Sequence, residues 1–290
     1  MPVRSRRGSR PLLQPAFAHA FAHALARAVA TIALTVTAMS VALPSAAAAQ
    51  TFDHAAFDAL LRKHVSNGMV DYDAFKNAPT FARYLTALSK QDPASLPRDE
   101  QLALWINAYN AYTIQLIVSH GETESIRNIN KTFGLKLKGP WSEALAKVGG
   151  KSFTLDDIEH KIIRPTYKEP RIHFALVCAA MGCPPLRSEA YTGARLNVQL
   201  EEQGAQFLLF SPTKNRVDLG EKKFYHSMIF GSYKVDFGGS LQSAGKFAAH
   251  WFPAGSPERM LLESGSFKAV ETKYDWTLNS QANAKKLGVK

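Results

Sequence analysis

The chain has 290 residues, nearly half of them apolar, and carries 35 lysines and arginines against 24 acidic residues, a net charge of +11. That length supports a single core of ordinary size, and no basic block interleaved with aromatics marks a nucleic-acid surface. Two cysteines are too few for a disulfide-built scaffold, yet they leave room for one bridge.

The first fifty residues hold Arg4, Arg6, Arg7, Arg10 and Arg27 and no acid, then an apolar run over 28–41 and a small-residue string over 44–50. A basic start, a short apolar middle and an alanine-rich end make 1–50 a secretory signal, cleaved near Ala49 or Gln50. The apolar run is too short for a spanning helix, so no stable membrane span is expected after cleavage. Arg6-Arg7 is not continued as a twin-arginine signal by Gly8-Ser9-Arg10, and no cysteine near the cut supports a lipid anchor. The expected location is periplasmic or secreted. Without the leader's five arginines the chain keeps a net charge of about +6, a mild excess that suits an acidic envelope surface and gives no reason to expect nucleic acid.

In the remaining chain, Phe57, Leu60, Leu61 and Val65 recur at helical spacing over 52–65, and Asn67-Gly68 ends that helix. A short extended piece follows over 69–72. A second helix over 80–89 carries Phe81, Tyr84, Leu85 and Leu88 on one side. Residues 98–120 give the strongest helical pattern. Leu102, Trp105, Ile106, Tyr109, Thr113, Leu116 and Ile117 form one stripe, and Leu104, Ala108, Ala111, Ile114 and Val118 cover most of the other side, so this helix is expected to be buried nearly all round. Asn107 and Asn110 then lie in the interior, where each amide needs partners or costs roughly 1–3 kcal/mol.

Residues 121–150 read as loop, with Gly134, Gly139-Pro140 and Gly149-Gly150. Thr154-Leu155-Asp156-Asp157 reads as a capped helix start, with the helix ending near Ile163 before Pro165. Residues 173–178 form a strand candidate. Another helix opens at Thr192 or Gly193 and runs to Leu208, 222–237 is mixed strand or loop, a helix lies near 241–250, and 267–278 looks like a final strand. With no internal repeat and no long linker, this is an α+β chain, a mostly helical single domain around a small β-sheet over 51–280, with 281–290 as a C-terminal tail.

The chemistry centres on Cys178 and Cys183. On a regular strand His173 and Cys178 face opposite ways, whereas the turn over 179–182 lets the chain double back and bring Cys183 to His173. Gly182 before it and Pro184-Pro185 after it hold Cys183 stiffly. A rigid cysteine beside an imidazole suits a thiolate nucleophile; a Cys178–Cys183 bridge and a pair of inert thiols are the alternatives.

Glu159 falls inside the apolar stripe of Leu155, Ile158, Ile162 and Ile163, where a carboxyl must be paired, hydrogen-bonded or protonated. Arg164, His173, Asn107 and Asn110 are its candidate partners, and a structural ion pair or a carboxylate reaching to water from the stripe's edge is the alternative. His160 with His173 hints at a metal, but Glu159 and His160 are adjacent on a helix and point about 100 degrees apart, so no metal site is assigned. His54, His64, His226 and His250 have no motif around them. No glycine-rich phosphate loop, G-x-S-x-G elbow or H-E-x-x-H motif is present, and no cofactor is implied.

The stretches LALWINAYNAYTIQLIV (102–118), SFTLDDIEHKIIRP (152–165), IHFALVCAAMGCPPL (172–186) and KYDWTLN (273–279) resemble, in this order, the domain of unknown function 547, known from exported bacterial proteins and from plants. The family's recurring W-I-N-x-Y-N, I-E-H, H-F-A-L-x-C and C-P-P fall on Trp105, Asn107, Tyr109, Asn110, Glu159, His160, His173, Cys178, Cys183, Pro184 and Pro185. Its F-x-W-Y-x-x-D-F is similar to 230–237 here, with Ser232 in place of tryptophan, a departure that bears on any ligand surface built on that aromatic. The family brings no settled activity.

Two functions compete. In the first, a thiol-dependent hydrolase or transferase acting on amide or thioester bonds, Cys183 is the nucleophile, His173 the base, Glu159 the group that orients it, and Asn107 or Asn110 the oxyanion donor. Trp105, Asn110, Arg164 and Cys178 are its substrate-binding groups. In the second, a non-catalytic envelope binding or scaffold module, Cys178 and Cys183 are bridged and the polar set is a satisfied core; its partner is an envelope ligand or protein. A redox protein cycling the two cysteines is a third reading, with the C-x-x-x-x-C spacing and the lack of C-x-x-C against it.

Overall fold

The computed structural model describes residues 50–132, 135–136 and 139–289. The expected leader, up to Ala49, and Gly134 lie outside the described residues. No helix among the described residues is long and apolar enough to cross a membrane.

Helix α1 (Ala55–His64) buries Phe57 and Leu61. The hairpin of β1 (Val65–Ser66) and β2 (Met69–Val70) turns on Asn67 and Gly68, both at positive φ, as a two-residue Asn-Gly turn requires. A Cβ at Gly68 would lie 2.5 Å from Pro185, so the residue also permits close approach of the cysteine segment. Asp71 accepts from the N–H of Ala74 to cap α2 (Tyr72–Lys76), and Pro79 opens α3 (Pro79–Lys90).

Helix α4 (Arg98–His120) has the expected bounds and is buried along most of its length, ending on Gly121 in the left-handed conformation. Between 121 and 150 come the short pair β3 (Lys131–Thr132) and β4 (Leu135–Lys136), and β5 (Ala146–Val148) pairs antiparallel with β6 (Lys151–Phe153).

Thr154 and Asp157 cap the next helix reciprocally: the Asp157 N–H donates to Thr154 Oγ1 at 2.9 Å, and the Thr154 N–H donates to Asp157 Oδ2 at 3.0 Å. The helix continues beyond the expected stop at Ile163. It widens to a π-helix over Asp157–Ile163 and passes through Pro165 as α5 (Arg164–Tyr167). In an α-helix the proline ring would meet the carbonyl four residues back; the wider turn upstream relieves that contact. Residues 173–178 differ from the expected strand: His173 lies on the short helix α6 (Ile172–Ala175), and the chain is extended from Leu176. The run from Phe174 to Val177 is apolar throughout and buried, so it has no period to separate helix from strand.

Helix α7 (Leu196–Leu208) begins after a 3-10 turn at Gly193–Arg195. The mixed segment 222–237 resolves into β8 and a helix. β7 (Arg216–Asp218) pairs antiparallel with β8 (Lys223–His226), and α8 (Met228–Ser232), α9 (Leu241–Ala248) and α10 (Pro257–Ser264) carry the chain over to β9 (Lys268–Glu271), which joins β8 in parallel. Only this first part of 267–278 is strand; the rest runs extended against the cysteine loop, bridging Ala180 to Leu278. Residues 281–287, read as tail, form α11 (Gln281–Leu287) with Asn283 and Ala284 buried.

The architecture is α+β, mostly helical with sheets of two or three strands. One core gathers around α4. A second is built from Phe174, Phe207, Phe224, Phe230, Phe237 and their neighbours beside the three-stranded sheet.

Candidate functional site

Both buried asparagines of α4 find backbone partners. Asn107 Nδ2 donates to the Tyr191 carbonyl at 2.7 Å while its Oδ1 accepts from the Tyr191 N–H at 2.9 Å. Asn110 Nδ2 donates to the Ala175 carbonyl at 2.9 Å and its Oδ1 accepts from the Val177 N–H at 3.0 Å. Each amide thus replaces a neighbouring strand for a segment that has none. Asn107 and Asn110 each commit the amide oxygen and one N–H to the backbone.

The Asn110 clamp sets the course of 175–177 and delivers Cys178. Cys178 and Cys183 are joined as a disulfide with Cα atoms 6.2 Å apart, a normal span for a bridge. The Cys178 N–H donates to Cys183 Sγ at 3.1 Å, and the Tyr274 hydroxyl lies 2.9 Å from Cys183 Sγ and 3.1 Å from Cys178 Sγ. Ala179, between the cysteines, sits at φ +54, sparsely allowed for alanine. Cys183 is 1% exposed; Cys178 is half-buried. Among the described residues no hydrogen bond joins the His173 imidazole to either sulfur, and its ring nitrogens face Asp236 and Glu159. A bridged sulfur, moreover, has no thiolate to offer.

His173 is held elsewhere. Its Nε2 is 2.7 Å from Asp236 Oδ2, its ring stacks on Tyr233 with centroids 3.9 Å apart, and its Nδ1 is 3.9 Å from Glu159. Asp236 also receives a two-pronged bond from Arg164, Nε to Oδ2 at 2.7 Å and Nη2 to Oδ1 at 3.1 Å. Burial lowers the His173 pKa to about 4, against the opposing pull of Asp236.

In front of this group lies a cleft of about 210 Å³. The π-helix supplies Glu159 and His160 and the residue before it, Asp156. Tyr109 comes from α4, Tyr233 from the end of α8, Tyr274 and Trp276 from the extended C-terminal segment, and Trp141 and Cys178 complete the wall. Glu159 is buried, and removal from water raises its pKa, opposed by hydrogen bonds from Tyr233 and Tyr109 and by the charges of His160 and Arg164. Arg164 Nη1 lies 3.0 Å from His160 Nδ1; since the guanidinium can only donate, the neutral imidazole carries its proton on Nε2, 3.9 Å from Asp156. Two aromatic faces of the cleft are already covered by cations: Arg164 stands 5.2 Å over Tyr233 and Arg127 5.0 Å over Trp276.

Of the residues picked from sequence, the structure brings Glu159, Arg164 and His173 together and places Cys178 at the same cleft. Trp105 is in the core, edge-on to Phe153 at 5.5 Å, and is not among the residues that line the cleft. Sequence reasoning missed Tyr109, Tyr233, Asp236, Tyr274 and Trp276 as site residues, although all five lie within stretches singled out for the family resemblance. Ser232 lines the cleft where the family pattern carries tryptophan.

Residues 93–208 match the family model described as "Protein of unknown function, DUF547". No curated protein and no solved structure matches the chain.

Proposed function

We propose that this chain, which carries a DUF547 domain over residues 93–208, is an exported envelope binding module whose Cys178–Cys183 bridge braces a cleft for a small, uncharged, hydroxylated ring ligand of the kind saccharides present. The observation that carries this reading is the division of labour among the polar residues. Asn107, Asn110, His173 and Cys183 are engaged in internal bonds away from the solvent, while Asp156, Glu159 and His160 line a cleft walled by Trp141, Tyr233, Tyr274 and Trp276, with Asp156 and His160 partly exposed there. Trp141, Tyr274 and the side of Trp276 away from Arg127 offer flat apolar surface, and carboxyl groups take hydroxyls, the usual make-up of a small-ligand site. Arg164 and Arg127 over two of the rings disfavour a cationic ligand. The thiol-hydrolase reading needs the bridge opened and the imidazole released from Asp236.

Titration with neutral saccharides, followed by tryptophan fluorescence, tests the reading. Saturable quenching is expected, weakened about tenfold or more in Trp276→Ala, with the saccharide recovered intact. Binding of cationic sugars in preference to neutral ones would overturn it.

A second reading rests on Glu159 itself. A carboxyl raised by burial at a cleft wall suits a general acid. Turnover of a glycoside lost in Glu159→Gln, with binding kept, would establish catalysis in place of binding alone.

A further inference from the structure

We propose that Cys178–Cys183 is an exchangeable disulfide facing the cleft, attacked at Cys178 by a small thiol or dithiol and released at Cys183. This rests on the bridge, and is independent of what the cleft binds.

The two sulfurs are unequally placed. Cys183 is 1% exposed, whereas Cys178 is half-buried and forms part of the cleft wall. Exchange proceeds by attack on the reachable sulfur, and it is faster when the departing thiolate is stabilised. Cys183 Sγ has the Cys178 N–H as a donor at 3.1 Å, and the Tyr274 hydroxyl, 2.9 Å from it and 3.1 Å from Cys178 Sγ, can turn its one proton to the departing sulfur. The Lys214 ammonium donates to the Cys183 carbonyl at 2.6 Å, adding a positive charge close by.

The loop between the cysteines is fixed by bonds other than the disulfide. The Met181 N–H donates to the Thr277 carbonyl and the Gly182 N–H to the Asp275 carbonyl, both at 2.8 Å, and the Asn279 N–H donates to the Ala179 carbonyl at 3.3 Å. A Cβ at Gly182 would lie 2.8 Å from Asp275 N and 2.9 Å from the Tyr274 ring; only glycine lets the loop lie this close to 274–277. These bonds survive reduction, so the sulfurs stay opposed and the bridge can re-form.

In the first step a reductant thiolate forms a bond to Cys178 Sγ, and the electron pair of the broken sulfur–sulfur bond leaves on Cys183. A second thiolate then attacks the reductant sulfur of the mixed disulfide and Cys178 departs as thiolate. Two thiols are oxidised to one disulfide, and the two protons they shed end on Cys178 and Cys183.

The test uses exported protein purified without reductant, with its intact mass taken first. The folded protein is then exposed to reduced glutathione, quenched with N-ethylmaleimide and mapped by peptide fragmentation. Glutathione on Cys178 and maleimide on Cys183 are expected, with Tyr274→Phe slowing the reaction about fivefold. Glutathione on Cys183, or reduction only after denaturation, overturns the exchange and leaves the structural brace intact. A starting mass with two free thiols overturns both the exchange and the brace. The mapping on the unaltered protein decides the matter even if Tyr274→Phe fails to fold.

Discussion

His54 lies buried beside Tyr84, whose hydroxyl is 2.8 Å from Nδ1, while Nε2 has no hydrogen-bond partner among the described residues. Burial lowers its pKa from 6.5 to about 4, although Asp53 and Asp58 pull the other way, and His173 is lowered to a similar value by the same cause. The unfolded chain takes up these protons below pH 6.5 and the folded chain refuses them until about pH 4. The stability contributed by the neutral imidazoles is therefore complete above pH 6.5 and is lost as pH falls toward 4. Each shift corresponds to about 3 kcal/mol at most. Glu159 works in the opposite sense: its raised pKa makes its protonation favour the fold as pH falls. Urea midpoints taken between pH 7 and 4.5 are expected to fall, and His54→Gln is expected to remove roughly half of that slope, since one of the two imidazoles whose pKa burial lowers then no longer titrates. An unchanged slope in the variant would refute the assignment. Nothing local in the sequence marked His54 apart from His64, His226 or His250, because the partner that buries it is thirty residues away.

At the scale of elements, α4 shows how much the sequence carries and where it stops. Its bounds, its burial on all sides and the need of Asn107 and Asn110 for partners could all be read from the pattern over 98–120. The partners could not, since Tyr191 is 84 residues from Asn107 and Ala175 is 65 residues from Asn110, and a spacing pattern carries only local information. The same limit explains α6: the pattern over 173–178 suits a strand, and the Asn110 amide gives the extended part of that segment, Val177, the bond a neighbouring strand would give. The π-helix escaped notice for a different reason, since Pro165 signals a break and the chain answers with a wider turn. Asn110→Ala removes both bonds at once and leaves a buried carbonyl and a buried N–H without partners. A loss of about 2–5 kcal/mol is expected from the chemical-denaturation midpoint at constant slope. A loss under about 1 kcal/mol would mean that 175–177 is held by packing and not by the amide.

The whole molecule extends well beyond the segment that matches the family model, and the cleft shows why this matters. Glu159, His160, His173 and both cysteines lie within 93–208, but Tyr233, Asp236, Tyr274 and Trp276 come from later in the chain. The cores divide in the same way. Phe174 and Phe207 belong to the matched segment yet are completed by Phe224, Phe230, Phe237 and Phe267. The N-terminal hairpin is tied to the far end, with the Val70 N–H on the Asn279 carbonyl at 2.8 Å and Asn279 Nδ2 on the Gly68 carbonyl at 3.1 Å. Residues 93–208 alone would expose two phenylalanines that are 0% exposed in the full fold and leave the buried His173 and Glu159 without Asp236 and Tyr233, costs of several kcal/mol against a net stability of about 5–15 kcal/mol. A chain of residues 51–289 is expected to unfold in one cooperative urea transition with a fixed near-ultraviolet circular dichroism signal, whereas 93–208 alone is expected to lose that signal and to bind a hydrophobic dye. A sharp transition in the shorter chain would show that the matched segment folds without the second core, and the cleft would then be an addition to a finished domain and not the seam that holds two halves together.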